Sequence, residues 1–129
     1  RSTLFPYTTL FRSLELERST ANAREIVAYL KGSPAVKEVL YTGRGGMISF
    51  KVADESRIPH ILNSLKVFSF AESLGGVESL ITYPTTQTHA DIPVEVRHSY
   101  GLTDDLLRLS IGIEDARDLI ADLRQALER

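Results

Sequence analysis

The feature that most constrains this sequence lies near its C-terminal end. A short apolar run carrying one arginine, Leu106–Ser110 (LLRLS), leads into an apolar stripe at Ala116, Leu119, Ile120, Leu123, Ala126 and Leu127. The three-and-four spacing of that stripe predicts an amphipathic helix, with Glu114, Asp115 and Asp118 near its positive end. Such a helix needs an apolar surface to lie on, and strands earlier in the chain supply one. Residues 36–41 are rich in β-branched side chains, and Met47–Val52 alternates so that Ile48, Phe50 and Val52 share a face. Gly43, Gly45 and Gly46 lie between them, so the two runs read as a hairpin.

Helical spacing recurs upstream at Leu16, Ala23, Ile26, Val27 and Leu30, stopped by Gly32 and Pro34. A further helix is expected with Ile58, Ile61, Leu62 and Leu65 inward. Its Pro59 belongs in the first turn, which favours Ser56 over Asp54 as the cap. Residues 67–70 are briefly apolar, Gly75 and Gly76 mark a bend, and residues 78–83 read as a strand. Asp91 is placed to cap a short helix that begins at Pro93 and is stopped by Gly101. Strands and helices interleave without a strict βαβ repeat. The expected fold class is therefore α+β, a small sheet with helices packed on one face, built from residues 14–129. Residues 1–13 (RSTLFPYTTLFRS) show no sustained period and resemble translated sequencing-adapter sequence, so they are set aside as a non-native scar.

At 129 residues, 43% hydrophobic and 25% charged, the chain has the size of one domain with one core. A formal net charge of -2, spread along the chain, gives no reason to expect nucleic acid or an anionic membrane as partner. Without cysteine there is no disulfide framework and no thiolate site, which makes a cytoplasmic setting the simplest expectation. No apolar run approaches the roughly 18 residues of a membrane span.

Pattern-based chemistry is sparse. His60, His89 and His98 have no i, i+4 partner among them, so no metal is expected. The glycines at 43, 45 and 46 join strands and open no helix, which excludes a dinucleotide fingerprint. Ser73 and Ser79 sit in no nucleophile elbow. Glu114, Asp115, Asp118 and Asp122 read as a solvated acidic face. Arg108 is the exception, because a guanidinium inside an apolar strand needs an edge position or an anionic partner. Its planar fork suits a carboxylate, although a structural ion pair is the commoner role.

Four blocks carry a resemblance: GGMISF from Gly45, FAESLGGVESLITY from Phe70 to Tyr83, Thr88-His89-Ala90, and LLRLSIGIED from Leu106. In this order and at these distances they resemble the C-terminal domain of the cysteine/methionine-metabolism family of pyridoxal-phosphate (PLP) enzymes, transferases of fold type I. The resemblance implies that Arg108 grips the α-carboxylate of an amino-acid substrate. It implies that Ser73 lies beside the cofactor and its Schiff-base lysine, that Glu72 approaches the distal part of the substrate side chain, and that Thr88 is near the site. Glu72 resembles the γ-acting members, which implies trans-sulfuration at the γ-carbon of activated homoserine or cystathionine, as in the cystathionine γ-synthases first and the γ-lyases next. The cofactor implied is pyridoxal 5'-phosphate, and the intact assembly implied is a homotetramer. The family's lysine and phosphate loop match nothing in this sequence, so the chain alone is expected to be inactive, with no catalytic residue of its own and no residue assigned with certainty to cofactor binding. The chain departs from the family at Thr42, where proline is frequent, and at Gln87, where methionine is usual. A free-standing module that binds an amino-acid carboxylate through Arg108 without catalysis is the alternative.

Overall fold

The computed structural model describes residues 6–70, 78–85, 93–99 and 103–129. Helix α1 (Pro6–Gly32) precedes strands β1 (Val36–Leu40) and β2 (Met47–Val52). A 3-10 turn (Glu55–Arg57) runs into α2 (Ile58–Ser64), and two short strands follow, β3 (Ser69–Phe70) and β4 (Leu80–Thr82). Then come α3 (Val94–Ser99), β5 (Leu106–Ser110) and α4 (Ala116–Leu127). The five strands form one sheet in the order β1-β2-β5-β4-β3, which puts β5 in the middle. Only the β3/β4 pair is parallel. The expected α+β architecture is therefore observed, with α1, α2 and α4 on one face of the sheet.

Period-two alternation sends Ile48, Phe50 and Val52 of β2, Leu107 and Leu109 of β5, and Ile81 of β4 to the same face. There they join Ala23, Ile26, Val27 and Leu30 of α1, Ile58 and Ile61 of α2, and Leu119, Leu123, Ala126 and Leu127 of α4 in one core. Burying a side chain of the Leu, Ile or Phe size stabilises by about 1.5–3 kcal/mol, so this cluster is the principal favourable contribution to folding. The α1 and α4 layer is also tied at its rim, where the Tyr29 hydroxyl donates to Glu128 and Arg124 lies 5.1 Å from the Tyr29 ring centre. Burial, reinforced by the Glu128 carboxylate, pushes the Tyr29 phenol up to about 12.

Three expectations need correcting. Helix α1 begins at Pro6, within the segment that shows no helical period. After that proline nothing breaks the helix, so backbone bonding propagates through it while Leu10 and Phe11 stay 60% and 57% exposed. Second, Ser56 does not cap α2, whose preceding residue Arg57 makes no side-chain capping bond; Asp54 instead caps the 3-10 turn, its carboxylate accepting from the Ser56 amide at 3.0 Å and the Ser56 hydroxyl at 2.7 Å. The interposed 3-10 turn moves the capping position back, and Pro59 still falls in the first turn of α2. Third, the acidic residues around α4 are not all solvated, and Glu114 and Asp122 face inward. The expected Gly75–Gly76 bend, Asp91 cap and Gly101 stop lie outside the described residues.

The hairpin turn matches its sequence. Gly43 and Gly45 adopt φ of 98° and 80°, which side chains disfavour. Gly46 matters for a different reason: a Cβ there would lie 2.6 Å from the Ile111 carbonyl oxygen, beside the 2.8 Å bond from the Ile111 amide to the Gly46 carbonyl. Both contact atoms are backbone and cannot swing aside. Gly46→Ala is therefore expected to destabilise the chain by about 1–3 kcal/mol in urea unfolding, through displacement of β2 from β5. An unchanged midpoint would mean that this approach is not tight.

Candidate functional site

Alternation along β5 determines the site. With Leu107 and Leu109 in the core, Arg108 projects from the opposite face of the sheet's central strand. The register sets Ser49 of β2 and Thr82 of β4 directly across from it, and Leu40 of β1 across from Ser49. Leu40, Ser49, Arg108 and Thr82 thus form one row across four strands. Thr82 is only 1% exposed, whereas Leu40 is 46% exposed. Arg108 is partly buried, and no hydrogen bond or ion pair to its guanidinium is found among the described residues. A partly desolvated guanidinium with no partner among the described residues has a planar fork of donors whose geometry suits a carboxylate.

The loop that follows β5 is pinned by a polar network. Glu114 accepts from both the Ser79 amide at 3.0 Å and the Ser79 hydroxyl at 2.7 Å. That hydroxyl in turn accepts from the Gly112 amide at 2.9 Å. From α1, the Asn22 side-chain amide donates to the carbonyls of Gly112 at 3.1 Å and Glu114 at 2.7 Å. The entry to β4 and the exit of β5 are thereby locked together, which holds the Thr82/Arg108 register. Ser79, near glycines in sequence, is a fully buried hub of this network.

A second anchor is Asp122, 5% exposed, whose carboxylate accepts from the backbone amides of Lys66, Val67 and Phe68 at 2.7–3.1 Å. Gln125 donates to the same carboxylate at 3.1 Å and to the Ser64 carbonyl at 2.6 Å. The chain leaving α2 is thus turned toward β3. Sequence reasoning missed this role, yet a signal existed: 119, 122 and 126 follow helical spacing, which puts Asp122 on the buried stripe.

Of the expected site residues, the structure places Arg108, while Glu72, Ser73 and Thr88 lie outside the described residues. A separate recess is lined by Lys37, Asp54, Glu55, Asp104 and Asp105. Its chief cation is spent, since Lys37 pairs with Asp105 at 2.5 Å. Burial opposes the Asp105 charge, but the bonds from Lys37 and Thr103 outweigh it and hold that carboxyl below the usual carboxylate range. Among the described residues no group of three His, Cys, Asp or Glu side chains is arranged to hold a metal ion, and no helix is long and apolar enough to cross a membrane.

The fold is that of a small α+β domain of the kind found in PLP-dependent enzymes. The backbone superposes with a TM-score of 0.86, over 91% of this chain and 32% of the other, on a putative O-acetylhomoserine (thiol)-lyase from Campylobacter jejuni. That structure, 30% identical, carries a pyridoxyl-lysine monophosphate. This chain belongs to the family described as Cys/Met metabolism PLP-dependent enzyme, whose sequence profile matches residues 8–128. It is 53% identical over 114 residues to the cystathionine gamma-synthase of Haemophilus influenzae, covering 88% of this chain and 31% of that protein. It is 46% identical over 131 residues to the cystathionine gamma-lyase of Bacillus subtilis, covering 89% and 35%. The chain thus spans about a third of the length of the curated relatives it matches.

Removing the hub of the polar network tests its weight. Ser79→Ala strips Glu114 of its hydroxyl donor and leaves the Gly112 amide buried without an acceptor, which is expected to cost about 2–4 kcal/mol. Hydrogen exchange at Gly112 is expected to accelerate in step. A variant as stable as the parent, with Gly112 still protected, would show that the network carries little of the stability.

Proposed function

We propose that this chain is the substrate-carboxylate-binding C-terminal domain of a PLP-dependent trans-sulfuration enzyme. The reaction proposed is at the γ-carbon of activated homoserine or cystathionine, with cystathionine γ-synthase preferred to γ-lyase. The observation that carries this reading is Arg108, a guanidinium on the central strand that faces away from the core and has no partner among the described residues. The higher identity to a gamma-synthase than to a gamma-lyase supports the order of preference.

The described residues fit one end of such a site. Arg108 suits the carboxylate of an amino acid, while Lys51, the lysine closest to it in register, bonds to Glu38 at 3.5 Å and Lys37 is committed to Asp105. They offer no free lysine beside the receptor, so attachment of the cofactor falls to the part of the relatives' length that this chain does not span. When bound, PLP supplies the electron sink of the reaction. This chain's contribution is positional. Two parallel hydrogen bonds from Arg108 fix the carboxylate and with it the orientation of the bonds at Cα, which converts binding into correct alignment. By resemblance, Glu72 faces the distal side chain, and Ser73 and Thr88 line the same site. The same resemblance makes the intact protein a cytoplasmic homotetramer with an amino acid as its substrate.

The test compares this chain alone with the same chain joined to a family large domain, following cofactor absorbance and γ-elimination from an acylated homoserine and from cystathionine. Only the joined protein is expected to bind cofactor and turn over. Arg108→Ala in it is expected to lower kcat/KM at least about 30-fold, because a charged carboxylate loses its bidentate partner. Binding of amino acid by the isolated chain through Arg108, with no turnover in the joined protein, would replace the enzyme reading with that of a non-catalytic module.

A further inference from the structure

We infer that Ser49 is a second donor to the anion held by Arg108, and so a specificity-determining residue of the receptor; the inference rests on the carboxylate reading of Arg108. Ser49 is the direct antiparallel partner of Arg108 between β2 and β5. Residues paired in this way project from the same face with Cβ atoms about 4.5–5.5 Å apart. An anion in the fork of Arg108 therefore lies within reach of the Ser49 hydroxyl.

Three observations single out Ser49. Its neighbours Ile48 and Phe50 are fully buried in the core, so alternation commits Ser49 to the Arg108 face. No hydrogen bond to its hydroxyl is found among the described residues, although the side chain is only partly exposed. A part-buried hydroxyl beside a guanidinium, neither with a partner among the described residues, is poised for a shared ligand. Finally, the row is open on this flank. Thr82, on the other side of Arg108, is 1% exposed, whereas Leu40 beyond Ser49 and Met47 two residues before it on the same face are 46% and 43% exposed. A ligand reaching Arg108 from the β1/β2 side passes Ser49.

Chemistry adds a selective element. A carboxylate has lone pairs left over after a bidentate bond to arginine, and a hydroxyl can donate to one of them. An uncharged carboxamide in the same place draws less from both donors. Ser49 therefore strengthens discrimination for the acid over the amide.

The experiment is an NMR titration of the 129-residue chain with L-homoserine and with L-homoserine amide, read at the amides of β2 and β5. The parent is expected to bind the acid saturably and better than the amide. Ser49→Ala is expected to weaken acid binding roughly tenfold, the loss of one charge-assisted bond, and amide binding distinctly less, with the thermal midpoint unchanged, and Ser49→Thr is expected to restore it. Arg108→Ala is expected to abolish the preference for the acid. If Arg108→Ala has that effect but Ser49→Ala leaves the acid-to-amide ratio untouched, the Ser49 inference is wrong and the receptor reading stands. Absence of saturable acid binding by the parent overturns both.

Discussion

A β-strand sends successive side chains to opposite faces, and that rule applied to β5 organises the rest of this structure. Leu107 and Leu109 can enter the core only if Arg108 leaves it. Because β5 is the middle strand of the sheet, the arginine projects from the middle of the sheet's other face, not from a frayed edge. The core and the placement of Arg108 are thus two sides of one constraint. A slip of one residue in the β2/β5 pairing would bury the guanidinium and expose the leucines, so the hydrophobic energy that holds the fold together also holds Arg108 in register.

Directional polar contacts then secure what burial alone leaves loose. Glu114 and Asn22 join the exit of β5 to the entry of β4 and to α1, and Asp122 gathers three consecutive backbone amides ahead of β3. These carboxylates are matched by donors on most sides, which is the condition under which inward-facing charge is tolerated. Both networks end on segments that flank residues 71–77, where the resemblance puts Glu72 and Ser73. The stiffest polar contacts therefore border the stretch on which side-chain recognition is proposed to depend. The chain spans only about a third of the length of its relatives.

Much of the fold was legible in the sequence. The stripe from Ala116 to Leu127, the alternation of Ile48, Phe50 and Val52, and the glycines of the 42–46 turn all act locally, and each formed as expected. Arg108 was legible too, because a lone charge in an apolar strand is conspicuous against its neighbours. Asp122 and Glu114 were not, since an acid on a helix reads as solvated unless its amide donors, 54–56 residues away for Asp122 and 35 for Glu114, are known. That Ser56 does not cap α2, and that Asp54 caps the 3-10 turn ahead of it, was not legible either, because that turn has no distinctive sequence pattern.

By itself the sequence determined most of the strands and helices, the apolar stripes of β2, β5 and α4, and through four ordered blocks the family to which the chain belongs. These properties depend on short-range periodicity and on residue identity, both present in the linear chain. Tertiary structure alone decided the order β1-β2-β5-β4-β3, and with it that Ser49 and Thr82, rather than any neighbour in sequence, flank Arg108. Strand pairing is long-range: which backbone hydrogen-bonds to which depends on how the whole apolar surface is best buried, and no local pattern encodes that choice.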